Sequence, residues 1–418
     1  MSPREPRLVV LSSLFPSTVQ PGAGLFIRER MFRVSRELPL VVVSPRAWFP
    51  GQGLIRLLRP GYRPMPPRRE MQEGIEVYYP RFLSLPGLFR QVDGLSMALA
   101  TLPLLWRLRR RFQFNLIDAH FAYPDGYAAA LLGRWFGLPV ALTLRGTEVP
   151  QSRNPHLRGK LKDVLLRATR VFSVSESLRE LAIQLGMAPA KGRVVGNGVD
   201  TSRFRPEDRH AARARYGLPD SAKVLISVGA LVERKGFHRV LAMLPELLRD
   251  QPELHYLIVG GGSPEGNLEQ ALREQVAALG LEQRVHFLGP IAPDELKWPL
   301  SAADVFVLAT RNEGWANVFL EAMACGLPVV TTDVGGNAEV VCHASLGVIV
   351  PFDDGGALKR ALANALAKDW DRRAIRAHAR SHGWDARVAV LVEEFRQLVN
   401  TGMETRAELP IASRNPMP

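Results

Sequence analysis

The sequence predicts an α/β protein made of two doubly wound, Rossmann-like domains. Apolar runs that are typical of buried parallel strands alternate with helical patterns along both halves of the chain, as in parallel sheets covered by helices. The length of 418 residues suits two domains of roughly 200 residues each better than one core. The alternation is interrupted at residues 197–206 (NGVDTSRFRP), where Gly and Pro indicate a domain boundary.

We assign the first domain to residues 1–200 and the second to residues 201–385. Predicted strands of the first domain are 8–13, 40–44, 116–119, 140–144 and 171–174, with helices between them such as 126–136 and 157–168. Predicted strands of the second domain are 224–228, 255–259, 285–288, 305–309, 328–332 and 347–350. A last helix is predicted at 386–400, and residues 401–418 are predicted to be a disordered tail.

The composition is that of a soluble globular protein in a reducing compartment. Hydrophobic residues make up 46% of the chain and charged residues 23%. The two cysteines, Cys325 and Cys342, lie in apolar surroundings, which argues against a disulfide framework. The longest apolar run, 94–106, is shorter than the ~18 residues that a membrane-spanning helix needs, and the N-terminus lacks a signal-peptide cleavage pattern. We therefore expect a cytoplasmic protein.

The formal net charge of +13 predicts an anionic partner. Nucleic acid is the weakest candidate, because no helix-turn-helix, zinc-finger or RNA-binding signature is present. Arginines are interleaved with apolar side chains in the first domain, namely Arg56, Arg59, Arg63, Arg68 and Arg69 with Trp48, Phe49, Leu54, Ile55, Leu57 and Leu58. Residues 106–114 repeat the mixture. This pattern suits peripheral docking onto anionic lipid headgroups; a solvated face in an Arg-rich protein is the alternative.

The most informative segment is residues 309–341 (ATRNEGWANVFLEAMACGLPVVTTDVGGNAEVV). It reads as a strand end, a loop, a short helix, a tight turn, an apolar strand and a Gly-Gly loop. Glu313 and Glu321 stand eight positions apart, on either side of the junction between loop and helix. Taken alone, each glutamate is typical of a solvated residue. The apolar frame around them instead indicates that both carboxylates are held in fixed positions.

The helix of this segment is predicted to begin near Val318, with Asn317 as its cap, and to stop at Gly326. Its first amides, those of Val318 and Phe319 among them, have no acceptor within the helix and carry the positive end of its dipole. They therefore form a site for a phosphate or diphosphate. Glu321, one turn into the helix, can accept hydrogen bonds from ribose hydroxyls beside that group, and the glutamate in the loop can reach a sugar on its far side.

The segment closely resembles the donor site of retaining glycosyltransferases of family four. These enzymes have the GT-B fold, in which two Rossmann-like domains face a cleft and a C-terminal helix crosses back to the N-terminal domain. The resemblance extends from Leu8 to about Phe395 and is strongest in residues 309–341. It implies that the first domain binds the acceptor and the second binds a nucleotide diphosphate sugar.

The resemblance also implies cations for the donor diphosphate in residues 225–236 (LISVGALVERKG). Lys235 and Gly236 match the Lys-Gly pair of the family, but Ala230 stands where the family usually has Arg. Arg234 is the candidate replacement. A leaving diphosphate needs fixed positive charge nearby, because its own charge grows in the transition state. For Lys235 alone, a surface lysine is the alternative interpretation.

Further site residues follow from the same resemblance. His120, in the run DAHFAYPDG, lies where family members place a His that faces the reacting sugar; a buried structural His is the alternative. Arg145 stands where relatives often have His, and it either binds an anionic group of the donor or acceptor or pairs with Glu148. Gly24 lets backbone approach the ligand, and Gly289 belongs to a run, LGPI, that matches the family segment passing the nucleotide base.

The resulting prediction is a retaining, metal-independent glycosyltransferase. It would move a sugar to a lipid-linked or glycan acceptor in exopolysaccharide, capsule or cell-wall polymer assembly, with His120, Glu313 and Lys235 as catalytic residues acting by positioning and electrostatics. No metal or other cofactor is expected, since the Asp-x-Asp at residues 369–371 follows no predicted strand. Two alternatives remain: a nucleotide-sugar epimerase on the same fold, and a non-catalytic nucleotide-sugar or glycan-binding protein, which Ala230 favours.

Overall fold

A computed structural model describes residues 5–58, 62–85, 87, 89–263 and 265–407, with side chains up to residue 400. The described residues form two compact units, 5–196 together with 387–407, and 197–386. Arg59, which the sequence places in the basic segment, lies outside the described residues. So do residues 408–418, for which the disordered tail stays a prediction.

The first unit is built on ten strands and seven helices within residues 5–196. The strands are β1 (Leu8–Leu11), β2 (Leu40–Val43), β3 (Arg46–Trp48), β4 (Arg69–Gln72), β5 (Ile75–Tyr78), β6 (Arg81–Leu83), β7 (Leu116–His120), β8 (Val140–Leu144), β9 (Arg170–Ser173) and β10 (Gly192–Val194). The helices are α1 (Leu25–Val34), α2 (Gln52–Leu58), α3 (Asp93–Arg111), α4 (Tyr127–Phe136), α5 (Glu148–Arg153), α6 (Pro155–Arg167) and α7 (Glu176–Gln184).

The second unit adds six strands and eight helices. The strands are β11 (Lys223–Val228), β12 (Leu254–Val259), β13 (Val285–Gly289), β14 (Val305–Leu308), β15 (Val329–Thr332) and β16 (Gly347–Val350). The helices are α8 (Arg209–Arg215), α9 (Phe237–Asp250), α10 (Glu269–Ala278), α11 (Lys297–Ala302), α12 (Asn317–Ala324), α13 (Asn337–Val340), α14 (Gly355–Ala367) and α15 (Arg372–Ser381). A last helix, α16 (Trp384–Ala407), ends the described chain.

Both large sheets are doubly wound. The first has the order β10-β9-β8-β7-β1-β2-β5-β4 and is parallel except for β4, which pairs antiparallel with β5. The second has the order β13-β12-β11-β14-β15-β16 and is parallel throughout. In each sheet the chain winds outward from a central strand, β1 or β11, and then returns to the other side of that strand. This reversal creates the switch point at which doubly wound sheets bind ligands.

The sequence missed the small strands of the first unit. β3 and β6 form a separate two-stranded parallel sheet, and β4, β5 and β10 lie towards the edges of the large sheet. Few of their side chains are buried, and in β5 and β6 the buried positions alternate with more accessible ones. They therefore lack the continuous apolar run by which the buried central strands are recognised.

The last helix returns to the first unit from Arg387 onward, as predicted. Phe395 is fully buried, and its ring lies 5.8 Å from that of Phe172. Glu394 pairs with Arg170 at 2.7 Å and with Arg193 at 3.0 Å. The helix also continues through residues 401–407, where a disordered tail was predicted; Met, Glu, Arg and Ala in that stretch are good helix formers. No described helix has the length and apolarity to cross a membrane.

Candidate active site

The strongest candidate site lies at the carboxyl ends of β11 and β14, the switch point of the second sheet. The loop after β11 leads to Arg234 and Lys235, and the loop after β14 carries Thr310 and Glu313. The two strands are neighbours in the sheet, so their following loops emerge side by side. The cations and the carboxylate singled out from the sequence are therefore brought together by sheet order, although they stand more than seventy positions apart.

A direct ion pair joins the two main predicted residues. Lys235 Nζ lies 2.6 Å from Glu313 Oε1, and both side chains are largely buried. The same oxygen lies 3.1 Å from Thr310 Oγ1 and 3.3 Å from Arg234 Nη1. All three contacts use Oε1, so Oε2 has no hydrogen-bond partner among the described residues. The carboxylate is thus fixed through one oxygen and open at the other.

Two glycines hold this arrangement by letting backbones approach closely. Gly236 has φ +76°, and a Cβ there would lie 1.9 Å from the carbonyl oxygen of Ala309. Gly335 has φ +54°, and a Cβ there would lie 1.8 Å from the carbonyl oxygen of Glu313. Real Cβ atoms do not make such contacts, and non-glycine residues rarely adopt these angles. The Lys-Gly pair and the Gly-Gly loop are therefore structural supports for the ion pair.

Arg234 is already engaged by carboxylates. Its Nε and Nη2 bind Glu265 at 3.0 and 2.9 Å in a two-pronged pair, while Nη1 lies 3.1 Å from the carbonyl oxygen of Asn312. The hydrogen bond to Glu265 and the charges of Glu313 and Glu265 raise the pKa of the guanidinium despite the opposing effect of its burial. Glu265 was not recognised in the sequence, and nothing in its local pattern distinguishes it from a loop glutamate.

The helix after the loop begins one residue earlier than predicted, and Asn317 is not its cap. Asn317 is the first residue of α12, and the capping position belongs to Ala316, whose side chain cannot cap. The Asn317 Oδ1 atom instead accepts a hydrogen bond of 2.8 Å from Asn197 Nδ2. The cap prediction was wrong because a long-range partner competes for a side chain that local pattern assigns to the helix end.

The start of α12 also alters one predicted phosphate contact. The Phe319 amide donates to the Ala316 carbonyl oxygen at 3.0 Å, so it has an acceptor, contrary to the prediction. The Phe319 side chain is fully buried and packs against Phe306 at 5.7 Å between ring centroids. The stop of the helix is as predicted, with Gly326 at φ +85°.

The remaining predicted donor residues occupy the same edge of the second sheet. Val318 and Glu321 lie on the first two turns of α12, both partly exposed. Gly289 ends β13 with φ +69°, and its carbonyl oxygen accepts from the Gly260 amide at 2.9 Å. Ala230 lies two residues after the end of β11. Strand and helix ends thus place these positions at one edge of the sheet.

A second cluster lies at the carboxyl end of β7 in the first unit. His120 is the last residue of that strand and is fully buried. Arg145, after the neighbouring strand β8, approaches His120 Nδ1 with Nη2 at 3.0 Å. Asp118, two residues before the histidine on the same face of β7, has its Oδ2 3.4 Å from His120 Nε2. Sequence reasoning missed Asp118, although the alternation Asp-x-His on a strand was the signal for it.

Burial controls the charge states of this cluster. Burial, assisted by the charges of Arg145 and Arg30, holds the pKa of His120 well below its usual range, so the ring is neutral near pH 7. Because an arginine only donates, Nδ1 must accept and the ring proton sits on Nε2, facing Asp118. Burial also raises the pKa of Asp118 to about 7, although Arg30 and Arg145 oppose that rise. His120 is therefore a fixed polar group rather than a charged one.

Arg145 lies against two rings of the first unit. Its guanidinium lies over the Phe26 ring at 5.1 Å, and its Nη2 lies 3.0 Å from His120 Nδ1. Glu148 accepts from backbone amides, those of Arg145 and Gly146 at 3.1 and 2.7 Å. The carboxylate thus shapes the loop that carries the arginine.

Packing within the first unit explains why a glycine stands at position 24. It precedes α1 with φ +68°, and a Cβ there would lie 2.5 Å from the carbonyl oxygen of Leu14. Its close backbone neighbour is therefore another part of the same unit.

Metal-ligand chemistry is sparse in the part of the chain that the structure describes. No group of three or more His, Cys, Asp or Glu side chains there is arranged to hold a metal ion. In the Asp-x-Asp at residues 369–371, Asp371 caps α15 by accepting from the amides of Arg373 and Ala374.

Comparison with known proteins identifies the family. The family model described as Glycosyltransferase Family 4 matches residues 55–203, and the one described as Glycosyl transferases group 1 matches residues 208–382. TuaC of Bacillus subtilis is named as a teichuronic acid biosynthesis glycosyltransferase. It is 31% identical to this chain over 340 residues, covering 79% of this chain and 82% of TuaC. The chain belongs to glycosyltransferase family 4. The prediction of a glycosyltransferase is thereby confirmed.

Other relatives of this glycosyltransferase extend the comparison. A D-inositol 3-phosphate glycosyltransferase of Streptomyces scabiei is 28% identical over 424 residues, covering 94% of this chain and 91% of that protein. Sucrose-phosphate synthase of Thermosynechococcus elongatus superposes with a TM-score of 0.76 at 21% identity, covering 95% and 100% of the two chains. HepE of Anabaena in complex with UDP superposes with a TM-score of 0.66 at 19% identity, covering 97% of this chain and 100% of HepE. These structural matches confirm the GT-B fold.

Proposed function

We propose that this glycosyltransferase takes a sugar from a nucleotide diphosphate sugar, with retention of configuration and without a metal ion. The observation that carries the proposal is the contact of 2.6 Å between Lys235 Nζ and Glu313 Oε1 at the switch point of the second sheet. A cation and a carboxylate held there fit the two ends of a sugar diphosphate, one anionic and one rich in hydroxyl groups.

Lys235 and Arg234 take the diphosphate in this proposal. The leaving group gains negative charge as its bond to the anomeric carbon breaks, and fixed cations stabilise that charge without a metal. Arg234 supplies the cation missing at Ala230, and its two-pronged pair with Glu265 keeps the guanidinium in place. The start of α12, with Val318, faces the same phosphates, and Glu321 accepts from the ribose hydroxyls.

Glu313 orients the donor sugar through its open oxygen. Oε1 stays bound by Thr310 and the two cations, while Oε2 is available to a sugar hydroxyl. The acceptor oxygen then attacks on the face that the diphosphate leaves, and the leaving phosphate oxygen takes the acceptor proton. The bond to the acceptor forms as the bond to phosphate breaks, and the configuration is retained. His120, neutral and fixed by Arg145, contributes a polar group on the side of the first unit.

The acceptor we propose is a lipid-linked or glycan molecule of exopolysaccharide, capsule or cell-wall polymer assembly. TuaC, named for teichuronic acid biosynthesis, supports a polymer acceptor, and HepE, solved with UDP and with UDP-glucose, supports a nucleotide sugar as donor. The net charge of +13 supports anionic partners. We place the enzyme in the cytoplasm, peripheral to the inner face of the membrane, with the first unit binding the acceptor and the second the donor.

A thermal-shift panel of UDP, GDP, ADP and dTDP with their sugars tests the donor. A ligand at about a hundredfold its Kd stabilises by roughly 2.7 kcal/mol, enough for a clear shift. One responding nucleotide supports a nucleotide-sugar donor, whereas no response from the folded protein would contradict the proposal and favour a glycan-binding protein. Donor binding without transfer to the correct acceptor would favour the non-catalytic nucleotide-sugar-binding alternative that Ala230 suggests. A converted sugar without any acceptor would instead favour the epimerase.

Two matched glutamate variants then separate the roles. Glu313→Ala is expected to abolish transfer while the nucleoside diphosphate still binds, and Glu321→Ala to weaken nucleotide binding itself. The anomeric proton coupling of the product, measured by NMR, reports retention, and transfer in the presence of EDTA reports metal independence. Transfer by Glu313→Ala at near wild-type rate would refute the role of Glu313.

A further inference from the structure

The helix α2 has its polar side inward and its apolar side outward. Gln52 is almost fully buried, whereas Leu54, Leu57 and Leu58 are 70%, 79% and 88% exposed. At 100° per residue the three leucines lie on the side opposite Gln52 and Arg56. A helix on the surface of a water-soluble domain normally has the reverse arrangement.

Polar contacts hold α2 in this inverted orientation. Gln52 Nε2 donates to the Arg63 carbonyl oxygen at 3.2 Å. Arg56 donates to the Tyr62 and Arg63 carbonyl oxygens at 3.1 and 2.6 Å. The exposure of the leucines therefore does not result from a loosely attached helix. Hydrogen bonds hold the polar side of α2 in place and leave its apolar side exposed.

The apolar surface continues onto α3 through β3 and β6. Leu95, Leu99 and Trp106 are about half exposed and fall within one narrow stripe of α3, opposite its buried face. Ser96, on the same helix, donates to the Leu83 carbonyl oxygen at 2.8 Å, which ties α3 to β6. Leu83 is itself half exposed.

The contacts then run from β6 back to α2. The Ser84 amide donates to the Trp48 carbonyl oxygen of β3 at 2.9 Å. Arg63, whose carbonyl oxygen accepts hydrogen bonds from α2, donates through Nη1 to the Ser84 carbonyl oxygen at 3.4 Å. We call the leucines of α2 and the exposed apolar residues of β6 and α3 the apolar face.

Arginines outnumber carboxylates in the segments that carry the apolar face. Residues 38–69 contain six arginines and no Asp or Glu, and residues 94–117 contain four arginines and no Asp or Glu. Arg110 stands one turn after Trp106 in the exposed stripe, the position of a cation beside an interfacial tryptophan. A symmetric contact between two copies would bring these arginines against each other. An anionic bilayer instead offers acyl chains to the leucines and phosphates to the arginines.

We propose that the apolar face docks onto an anionic lipid bilayer, with α2 entering the boundary between headgroups and acyl chains. The inference deepens the proposed membrane-side acceptor by naming the element that inserts and the lipid charge that it needs. Removing the exposed leucines from water makes the free energy of binding to the bilayer more favourable, and each arginine near the anionic surface adds electrostatic attraction.

Sedimentation with vesicles tests the proposal on the full chain. Vesicles of phosphatidylcholine with phosphatidylglycerol are expected to bind the protein, and pure phosphatidylcholine vesicles only weakly. The triple variant Leu54→Gln, Leu57→Gln, Leu58→Gln should lower partitioning by at least about thirtyfold. The double variant Arg107→Gln, Arg110→Gln should lower it by about ten- to thirtyfold and flatten its salt dependence.

A matched control uses exposed apolar residues elsewhere. The variant Leu166→Gln, Leu279→Gln, Val390→Gln removes three side chains that are 61%, 37% and 46% exposed, and it should partition like the wild type. Equal partitioning of the leucine variant and the wild type would overturn the proposal, as would equal binding to neutral vesicles. Self-association lost with the same leucines, measured by sedimentation velocity, would assign the face to protein contact instead.

The failure of this inference is distinguishable from failure of the proposed function. Nucleotide thermal shifts and transfer to a water-soluble acceptor are measured without lipid. Transfer without vesicle binding would overturn only the docking face. Vesicle binding without a response to any nucleotide would overturn the proposed function and leave the docking face standing.

Discussion

Gly236→Ala is expected to damage both stability and catalysis, since its Cβ would lie 1.9 Å from the Ala309 carbonyl oxygen. Gly217→Ala is the matched control, because Gly217 has a similar φ of +64° but nothing within 4 Å of the added Cβ. In both variants an alanine must adopt left-handed backbone angles, which costs about 1–2 kcal/mol of stability. The lower conformational entropy of the unfolded chain partly offsets this cost. Only Gly236→Ala adds overpacking, about 1–3 kcal/mol.

The assay compares the midpoints of thermal unfolding of the intact variants. In a unit of about 190 residues, 1 kcal/mol shifts Tm by roughly 2–4 °C, so Gly236→Ala should melt about 2–12 °C below Gly217→Ala. A shift of the Lys235 backbone by about 1 Å should also reduce kcat about a hundredfold, while Gly217→Ala keeps near wild-type kcat. Equal midpoints and equal kcat for the two variants would refute the argument that backbone contact at Gly236 holds the ion pair.

Two further predictions concern histidines. Burial, with the charges of His286 and Arg284, lowers the pKa of His255 to about 4. The folded protein therefore loses stability relative to the unfolded chain as the pH falls from the ordinary histidine pKa of about 6.5 towards 4. His255→Gln should reduce the drop in Tm over that pH window, and an unchanged drop would contradict the prediction. Arg145→Met removes a charge that, after burial, lowers the pKa of His120. The pKa should rise towards its usual value, and kcat/KM should acquire an acidic limb that the wild type lacks; parallel pH profiles would count against the argument.

The buried strands and the positions of the main site residues followed from the sequence. Continuous apolar runs such as those of β7 and β11 are unambiguous, and residues that end such strands must lie at the ligand-binding edge of the sheet. That reasoning and the resemblance to family four together brought Lys235, Glu313 and His120 to attention with no knowledge of any contact. The short strands β3, β4, β5, β6 and β10 were missed because few of their side chains are buried.

Local pattern failed where a distant partner decides. Asn317 has the features of a helix cap, yet it binds Asn197, 120 positions away. Glu265 looks like any loop glutamate until it meets Arg234, and Asp118 acquires a role only beside His120 and Arg145. In each case the deciding contact joins segments that the sequence separates, and its strength depends on burial that composition does not specify.

The sequence by itself determined the family, the two doubly wound sheets and the residue types at the site, because apolar periodicity and glycine positions are local constraints on the backbone. Only the tertiary structure decided that Glu313 is bound through one oxygen and open at the other, that His120 is neutral, and that α2 presents its leucines to the outside. These properties depend on distances and burial set by the packing of remote segments, which fix the partner and the charge of each polar group.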